Sequence, residues 1–227
     1  MARPKLLKVC YIAPEGGRIG ATPRRTGLDV ATAERVDNPR ILPLRRASTG
    51  RPRAAVERFK LWENGRTLRV KFLDGLPSVQ ERVRDIAAEW EDVVNLRLQF
   101  VTSGSAEIRI SFAEQGFSWS TVGTDALTVP RTQPTMNYGW LEPSTEEVEY
   151  QRVVRHEFGH ALGMIHEHQN PAAAGKIPWD KPKVYAYYAR QVWSREDVDA
   201  NVFDVYDADL TNFSEYDPTS IMQYAIP

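Results

Sequence analysis

The sequence has little cysteine and histidine, and it has no long apolar run. Its 227 residues include one cysteine, Cys10, and four histidines. One cysteine cannot form a disulfide within the chain, which excludes a small scaffold stabilised by disulfides. No segment approaches the roughly 18 consecutive apolar residues of a membrane-spanning helix. We therefore expect a soluble protein with no membrane partner, stabilised by packing or by a bound metal.

The expected cellular compartment depends on the same absences. The N-terminal residues are basic but contain no apolar stretch as long as the core of a signal peptide. As the chain is written, this absence and the lack of disulfides predict a cytoplasmic protein. If a signal was removed upstream, the prediction becomes a secreted protein.

Charge is distributed unevenly along a chain whose formal net charge is −1. Residues 1–60 contain 14 lysines and arginines and 5 acidic residues. The remaining residues contain 15 lysines and arginines and 25 acidic residues. The plainer interpretation of the basic segment is a solvated arm. The alternative is that an arm of residues 1–55 folds back over an acidic cleft and regulates access to it. Nucleic acid is not an expected partner, because no aromatic residues alternate with the arginines.

Alternating apolar and polar residues predict several strands after the arm. The expected strands are 67–72, 96–100, 108–112 and a short one within 135–141. In contrast, 116–125 has the glycine, serine and threonine content of an irregular edge or loop.

Helices are predicted from apolar spacing and from capping-box signatures. Ser78 with Glu81, and Ser144 with Glu147, have the spacing of a capping box at the start of a helix. The apolar faces expected to be buried are Val79, Val83, Ile86, Ala87, Trp90 and Val94 in the first helix, and Val154, Phe158, Ala161 and Leu162 in the second. A third helix is expected near 183–193. The order of strand, helix, strands, helix and irregular tail predicts an α+β fold.

All four histidines lie within residues 156–168, where the chain reads HEFGHALGMIHEH. On a helix, His156 and His160 share one face, one turn apart, so their rings can offer two nitrogens to one ion. Glu157 lies about 100° around the helix from His156, where it can reach a water molecule on that ion. This arrangement is typical of a zinc hydrolase.

A third ligand is expected beyond the helix. Gly163 can adopt a positive φ and reverse the chain, which would bring His166 back to the ion. Three imidazoles leave the fourth position of a tetrahedral zinc open, as in catalytic sites. Glu196 or Glu215 is the alternative third ligand. His168 is interpreted as a hydrogen-bonding neighbour of the site.

The motif HExxHxxGxxH at 156–166 and the sequence SIMQY at 220–224 resemble the zinc motif and methionine turn of the metzincin clan of zinc endopeptidases. Within this clan the chain is most similar to the astacins, whose zinc motif continues into Glu-His, as it does here. The resemblance implies a metzincin-like α+β fold, in which a twisted mixed sheet, a backing helix and the zinc helix stand above a smaller irregular subdomain. The corresponding ranges are 56–163 for the upper subdomain and 164–227 for the lower.

The same resemblance implies roles for residues outside the zinc motif. Met222 would form a hydrophobic floor beneath the zinc, and Tyr224 would ligate zinc or stabilise the oxyanion. The family's edge strand above the cleft pairs with an extended substrate, so 119–124 is the expected rim. In astacins the glutamate after the third histidine pairs with the mature N-terminus. Here 155 residues precede His156, and the role of Glu167 stays open.

The sequence therefore predicts a monomeric zinc metalloendopeptidase that acts on peptide or protein substrates, with Glu157 as general base and acid. Two alternatives are a dedicated peptide-maturation protease of narrow specificity and a non-catalytic binding module stabilised by zinc. The arm adds one regulatory hypothesis, in which Cys10 or Asp29 blocks the zinc as a thiolate or carboxylate ligand.

Overall fold

The computed structural model describes residues 9–12, 55–190 and 193–223. Within them the chain divides into two compact units. We call the first the sheet unit, which comprises 9–12 and Phe59–Gly163, and the second the C-terminal unit, which comprises 55–58 and the described residues from 164 to 223.

The described strands are short. They are β1 (Val9–Ile12), β2 (Ala55–Glu57), β3 (Thr67–Phe72), β4 (Arg97–Phe100), β5 (Ile108–Ser111), β6 (Phe117–Ser120), β7 (Met136–Tyr138) and β8 (Thr211–Phe213). In the sheet unit, six of them form one sheet in the order β1-β6-β7-β5-β3-β4. The pairs from β7 to β4 are parallel, β6 runs antiparallel to β7, and β1 runs parallel to β6. The sheet is therefore mixed, as the family resemblance implies.

The burial of each strand follows its place in the sheet. β5 lies in the interior of the sheet and is buried at all four positions. β4 lies at the edge and alternates between exposed and half-buried residues. β3 has the bounds that the alternating pattern predicted. A strand covered on both faces loses its alternation, which explains the contrast between β5 and β4.

One strand prediction was wrong. Residues 117–120, interpreted from composition as irregular, form β6. Phe117 and Trp119 are themselves residue types enriched in strands, and β6 is paired on both edges, with β7 on one and β1 on the other. The side-chain amide of Asn137 donates to the carbonyl of Phe117 at 2.6 Å and to that of Glu114 at 2.9 Å, which holds the start of the strand.

The described helices are α1 (Pro77–Ala88), α2 (Glu147–Ala161), α3 (Lys181–Ala189) and α4 (Arg195–Val198). Short 3₁₀ turns cover Arg58–Lys60, Glu89–Asp92, Gly123–Leu127, Glu167–Gln169 and Pro171–Ala173, and a π-helical turn covers Asp199–Phe203. None of the described helices is both long and apolar enough to cross a membrane.

Both predicted capping boxes were wrong. The N-cap of α1 is Leu76 and that of α2 is Glu146, and neither side chain makes a cap hydrogen bond. In α1, Pro77 occupies the first turn, where its fixed φ starts the helix before Ser78. Before α2, the hydroxyl of Thr145 accepts from the backbone N–H of Glu142, so this stretch closes a turn rather than a cap.

Helices α1 and α2 pack against each other within the sheet unit. The predicted apolar faces are largely confirmed: the buried residues are Val79, Val83, Ile86, Ala87, Trp90, Val154, Phe158, Ala161 and Leu162, whereas Val94 is only half-buried. Polar contacts join the two helices at their surfaces. The Arg82 guanidinium lies 3.5 Å from the ring centroid of Tyr150 and pairs with Glu147 at 2.8 Å.

The C-terminal unit contains little regular structure. β2 and β8 form an antiparallel pair, and the Nε–H of Arg58 donates to Asn212 Oδ1 at 2.7 Å beside it. A hydrophobic cluster rich in aromatic residues forms a small core around Tyr188, Val198 and Val202. The half-buried members of this cluster are Trp179, Val184, Tyr185, Tyr187, Trp193 and Phe203.

Candidate zinc site

Helix α2 carries the first two histidines of the predicted site. Glu147 and Glu149 lie in its first turn, where negative charge is favourable to the helix dipole. The rings of His156 and His160 are buried, their Nε2 atoms lie 3.1 Å apart and their centroids 4.7 Å apart. The helical i, i+4 spacing therefore brings two imidazole nitrogens together, as the sequence predicts.

The helix ends two residues before Gly163, the glycine expected to reverse the chain. Gly163 has φ 108° and donates its N–H to the carbonyl of His160 at 2.8 Å. A Cβ at this position would lie 2.9 Å from Leu61 Cδ2. The indole N–H of Trp62 donates to the carbonyl of Ala161 at 2.7 Å, which satisfies one open carbonyl of the last turn. The positive φ therefore favours glycine at position 163, and a larger residue would also have to displace the end of the Leu61 side chain.

The segment after the turn holds the third histidine. Ile165 donates its N–H to the carbonyl of Ala55 at 3.0 Å, and Met164 forms an antiparallel bridge with Val56. His166 is fully buried and precedes the 3₁₀ turn Glu167–Gln169. Strand β2 therefore sets the path of the chain just before His166.

Three histidines fit one metal ion. The candidate ligand nitrogens of His156, His160 and His166 lie within 4.8 Å of one another. Nitrogens bound at about 2.0–2.1 Å to one tetrahedral zinc lie roughly 3.3 Å apart, so a small adjustment of the rings accommodates the ion. Glu196 and Glu215, the alternative third ligands, are not members of this group.

The predicted general base lies on the same helix as two of these histidines. Glu157 is fully buried in α2, directly after His156. A buried carboxylate in a helix is uncommon and needs polar partners. Tyr224 and Asp29 lie outside the described residues, and Cys10 is described only through its backbone in β1.

Comparison with known proteins agrees with this geometry. The model of the astacin family, which is a family of peptidases, matches residues 56–226. The chain belongs to the astacin family. It is therefore a zinc metallopeptidase that acts on peptide or protein substrates, and the non-catalytic binding module is set aside.

Two solved structures are similar to this astacin. A structure of myroilysin is 48% identical with a TM-score of 0.73, and the match covers 76% of this chain and 84% of that one. A second structure, a crystal structure of myroilysin, is 46% identical with a TM-score of 0.58, and the match covers 73% of this chain and 72% of that one. No curated protein matched the chain.

Met222 of the methionine-turn sequence is buried in this astacin. Its carbonyl accepts the backbone N–H of Glu167 at 2.9 Å, and its own N–H donates to Ser220 Oγ at 3.2 Å. The residue directly after the third histidine is thus hydrogen-bonded to the turn that contains Met222.

Glu167 makes a second connection to the same turn through its side chain. Its Oε1 atom accepts from the side-chain amide of Asn170 at 2.8 Å and from the backbone N–H of Asp217 at 3.0 Å. Burial raises the pKa of Glu167 above its ordinary value, and these two hydrogen bonds oppose the shift. Asn170 is also fully buried. Sequence reasoning missed this network, because Glu167 and Asp217 are 50 residues apart and no local motif indicates their contact.

His168 lies beside the third histidine and is not a member of the ligand group. Its Nε2 atom lies 3.0 Å from the carbonyl oxygen of Asn201. Its ring stacks on His166 with 5.0 Å between centroids and 20° between planes. The interpretation of His168 as a hydrogen-bonding neighbour agrees with these contacts.

Proposed function

We propose that this metallopeptidase is an endopeptidase that uses His156, His160 and His166 as zinc ligands and Glu157 as the group that moves the proton. One observation carries the proposal. Three buried imidazoles converge within 4.8 Å, and Glu157 is buried on the helix that supplies two of them. Three histidine ligands leave one position of a tetrahedral ion open for chemistry.

When bound, zinc polarises a carbonyl group and lowers the pKa of a nearby water molecule. Glu157 accepts a proton from the attacking water, whose oxygen adds to the carbonyl carbon of the scissile bond. The same carboxyl group then delivers this proton to the leaving amine nitrogen as the C–N bond breaks. Protons and electrons balance, so no other reactant is required.

The decisive experiment separates zinc binding from proton transfer. Glu157→Gln keeps the shape of the side chain and should retain zinc, yet lower kcat by about 10²–10⁴-fold. His160→Ala should lose both zinc and activity, because a ligand is removed. Zinc content and cleavage of an internally quenched peptide are measured on the full chain. Full activity in Glu157→Gln would overturn the assignment.

Two residues of the methionine-turn sequence complete the proposal. Met222 serves as the hydrophobic floor of the metal site, which its burial supports. Tyr224 stabilises the oxyanion of the tetrahedral intermediate or contributes a weak ligand. Tyr224→Phe should lower kcat with little change in zinc content, and a variant with full kcat would remove this role.

Substrate breadth is the finer question about function. Endopeptidase activity predicts cleavage at internal bonds of many members of a mixed peptide library. A dedicated maturation protease would instead leave most of these peptides intact. Cleavage profiles with and without chelator distinguish the two kinds of protease. The cuts that disappear with chelator are the zinc-dependent ones, and only these are compared.

We also propose that the N-terminal arm restrains the enzyme by occupying the outer edge of β6. β1 lies at the end of the sheet and pairs in parallel with β6, with Val9 opposite Phe117 and Ile12 opposite Ser120. An extended substrate that adds to this edge must displace β1, because a strand edge accepts one partner.

Deletion of residues 1–50 should therefore raise kcat/KM, mainly through a lower KM. Tyr11→Pro in the full chain tests the same idea without a truncation, since proline removes a backbone donor from β1. Unchanged kinetics in both proteins would contradict the proposal.

A further inference from the structure

We propose that His168 is a positioning residue that orients the imidazole of His166. This inference rests on the proposed role of His166 as a zinc ligand. The two rings are 5.0 Å apart between centroids and nearly parallel, with 20° between planes. An offset stack of this kind fixes the plane of one ring relative to the other.

His168 can orient a neighbour only if its own ring is held in place. Its Nε2–H donates to the carbonyl of Asn201 at 3.0 Å, since a carbonyl can only accept. The ring of Trp179 contacts it edge to face, with 6.3 Å between centroids and 82° between planes. A hydrogen bond and a perpendicular aromatic contact thus restrain the ring, which is only 2% exposed.

The acceptor of this hydrogen bond belongs to the π-helical turn Asp199–Phe203. In this turn the N–H of Asp204 donates to the carbonyl of Asp199 at 2.8 Å, which is the i to i+5 pattern of a π turn. The carbonyls of Ala200 and Asn201 accept side-chain donors, Gln169 Nε2 at 2.8 Å and His168 Nε2 at 3.0 Å. π turns are rare and occur frequently near functional sites. Here the turn supplies the acceptor that anchors His168.

His166 needs such support more than the other two histidines do. His156 and His160 lie inside α2, where the helix sets their directions. His166 lies outside any helix, just before a three-residue 3₁₀ turn. Groups that orient a metal ligand typically change metal affinity or activity by about 10–100-fold when they are removed. The stack with His168 is therefore a contact that orients the ring of His166 for the ion.

The test measures zinc affinity of the full chain by competition with a chromogenic chelator. His168→Ala should weaken zinc binding by about 10–100-fold. His168→Phe keeps a flat ring and loses the hydrogen bond, so its affinity should lie between those of His168→Ala and the unaltered protein. The absorption of the Co²⁺-loaded protein gives a second readout, because its visible bands change when a ligand is displaced.

Gln169→Ala is the matched control. It removes two hydrogen bonds to the same segment, at the carbonyls of Ala200 and Asp204, but Gln169 does not stack on His166. Its zinc affinity should stay near that of the unaltered protein. An equal loss in Gln169→Ala, or a His168→Phe protein no better than His168→Ala, would overturn the inference.

His166→Ala separates this inference from the proposal on which it rests. If His166→Ala retains full zinc affinity, the proposed ligand set fails. If His166→Ala loses zinc while His168→Ala binds it normally, the ligand set stands and only the positioning role of His168 is wrong.

Discussion

The sheet unit and the C-terminal unit bury different kinds of residue. In the sheet unit many of the fully buried positions are apolar strand residues, such as Leu68, Val70 and Ile110, all at 0% exposure. In the C-terminal unit five consecutive polar residues, 166–170, are each at most 4% exposed. Apolar packing and strand pairing therefore stabilise the first unit, whereas hydrogen bonds from buried side chains to loop backbone stabilise the second.

This difference matters for the proposed metal ligands. Two of them lie on the long helix α2, and the third lies in the polar segment 166–170. A helix holds side chains through its own backbone, but a loop depends on each individual hydrogen bond. We expect the geometry of the third ligand to be the more sensitive to change.

Removal of zinc gives the strongest test of this contrast. At free zinc about 1,000-fold above its Kd, the metal stabilises the native state by about 4 kcal/mol. Chelation should therefore raise amide exchange in 164–190 and 193–223 by up to roughly a thousandfold, and much less in β3 and β5. Hydrogen exchange with mass spectrometry measures both units in one experiment. Equal changes in the two units would break the contrast.

Gly163→Ala tests the turn that follows the zinc helix. It should lower the free energy of unfolding by about 2–3 kcal/mol, because φ is 108° and the new methyl group would contact Leu61. Gly65→Ala is the matched control, since its φ is 83° but nothing lies within 4 Å of the added Cβ. Denaturant unfolding compares the two. Similar losses in both variants would show that only backbone strain, and not the Leu61 contact, matters.

Glu107→Gln tests how much one polar contact in the sheet unit contributes to the free energy of unfolding. Glu107 is buried and pairs with Arg69 at 2.6 Å. Burial by itself would raise the pKa of Glu107. The hydrogen bonds to its carboxylate, chiefly from Arg69, and the attraction of the Arg69 charge act in the opposite direction and have the larger combined effect, so the pKa falls below its ordinary value. The variant should lose about 1–2 kcal/mol of unfolding free energy at pH 7.

The sign of this pKa shift sets the pH dependence of that loss. A lowered folded-state pKa stabilises the protein above the ordinary carboxyl pKa of 4.5, and the stabilisation disappears as pH falls through the folded-state value. The difference between Glu107→Gln and the unaltered protein should therefore shrink in acid. A difference that is constant from pH 7 to pH 3 would contradict this assignment.

Ser194→Ala should have the smallest effect, about 1 kcal/mol. In the C-terminal unit Ser194 and Asp197 form a complete capping box at α4, with Ser194 Oγ accepting from the N–H of Asp197 at 3.0 Å. Ser78→Ala is the control, because Ser78 has the same spacing to an acidic residue but does not serve as the cap of its helix. Thermal unfolding of both variants measures the two changes in stability. An equal loss of stability in Ser78→Ala would contradict the prediction.

Local patterns predicted the parts of the molecule that depend on neighbours in sequence. The strand Thr67–Phe72 and the buried face of α2 were predictable, because alternation and helical spacing are properties of short segments. The capping boxes failed for a related reason. A serine and an acidic residue at the correct spacing do not cap a helix when proline or a preceding turn sets its start.

These local patterns did not predict contacts between residues that are far apart in the sequence. β6 pairs with β7 and β1, which the glycine, serine and threonine content of 116–125 does not indicate. Glu167 contacts Asp217 and His168 contacts Asn201 across 50 and 33 positions. Only folding brings such groups within hydrogen-bonding distance.

The sequence by itself determined the metal chemistry, because HExxHxxGxxH places three histidines and a glycine within one short segment, 156–166, and the helical i, i+4 spacing brings His156 and His160 together. The tertiary structure alone decided what surrounds the third histidine. His168 and Glu167 acquire partners from loops far along the chain, and Asn170 joins the network of Glu167. Buried polar groups are stable only when they are hydrogen-bonded, and only the folded chain brings their partners close enough.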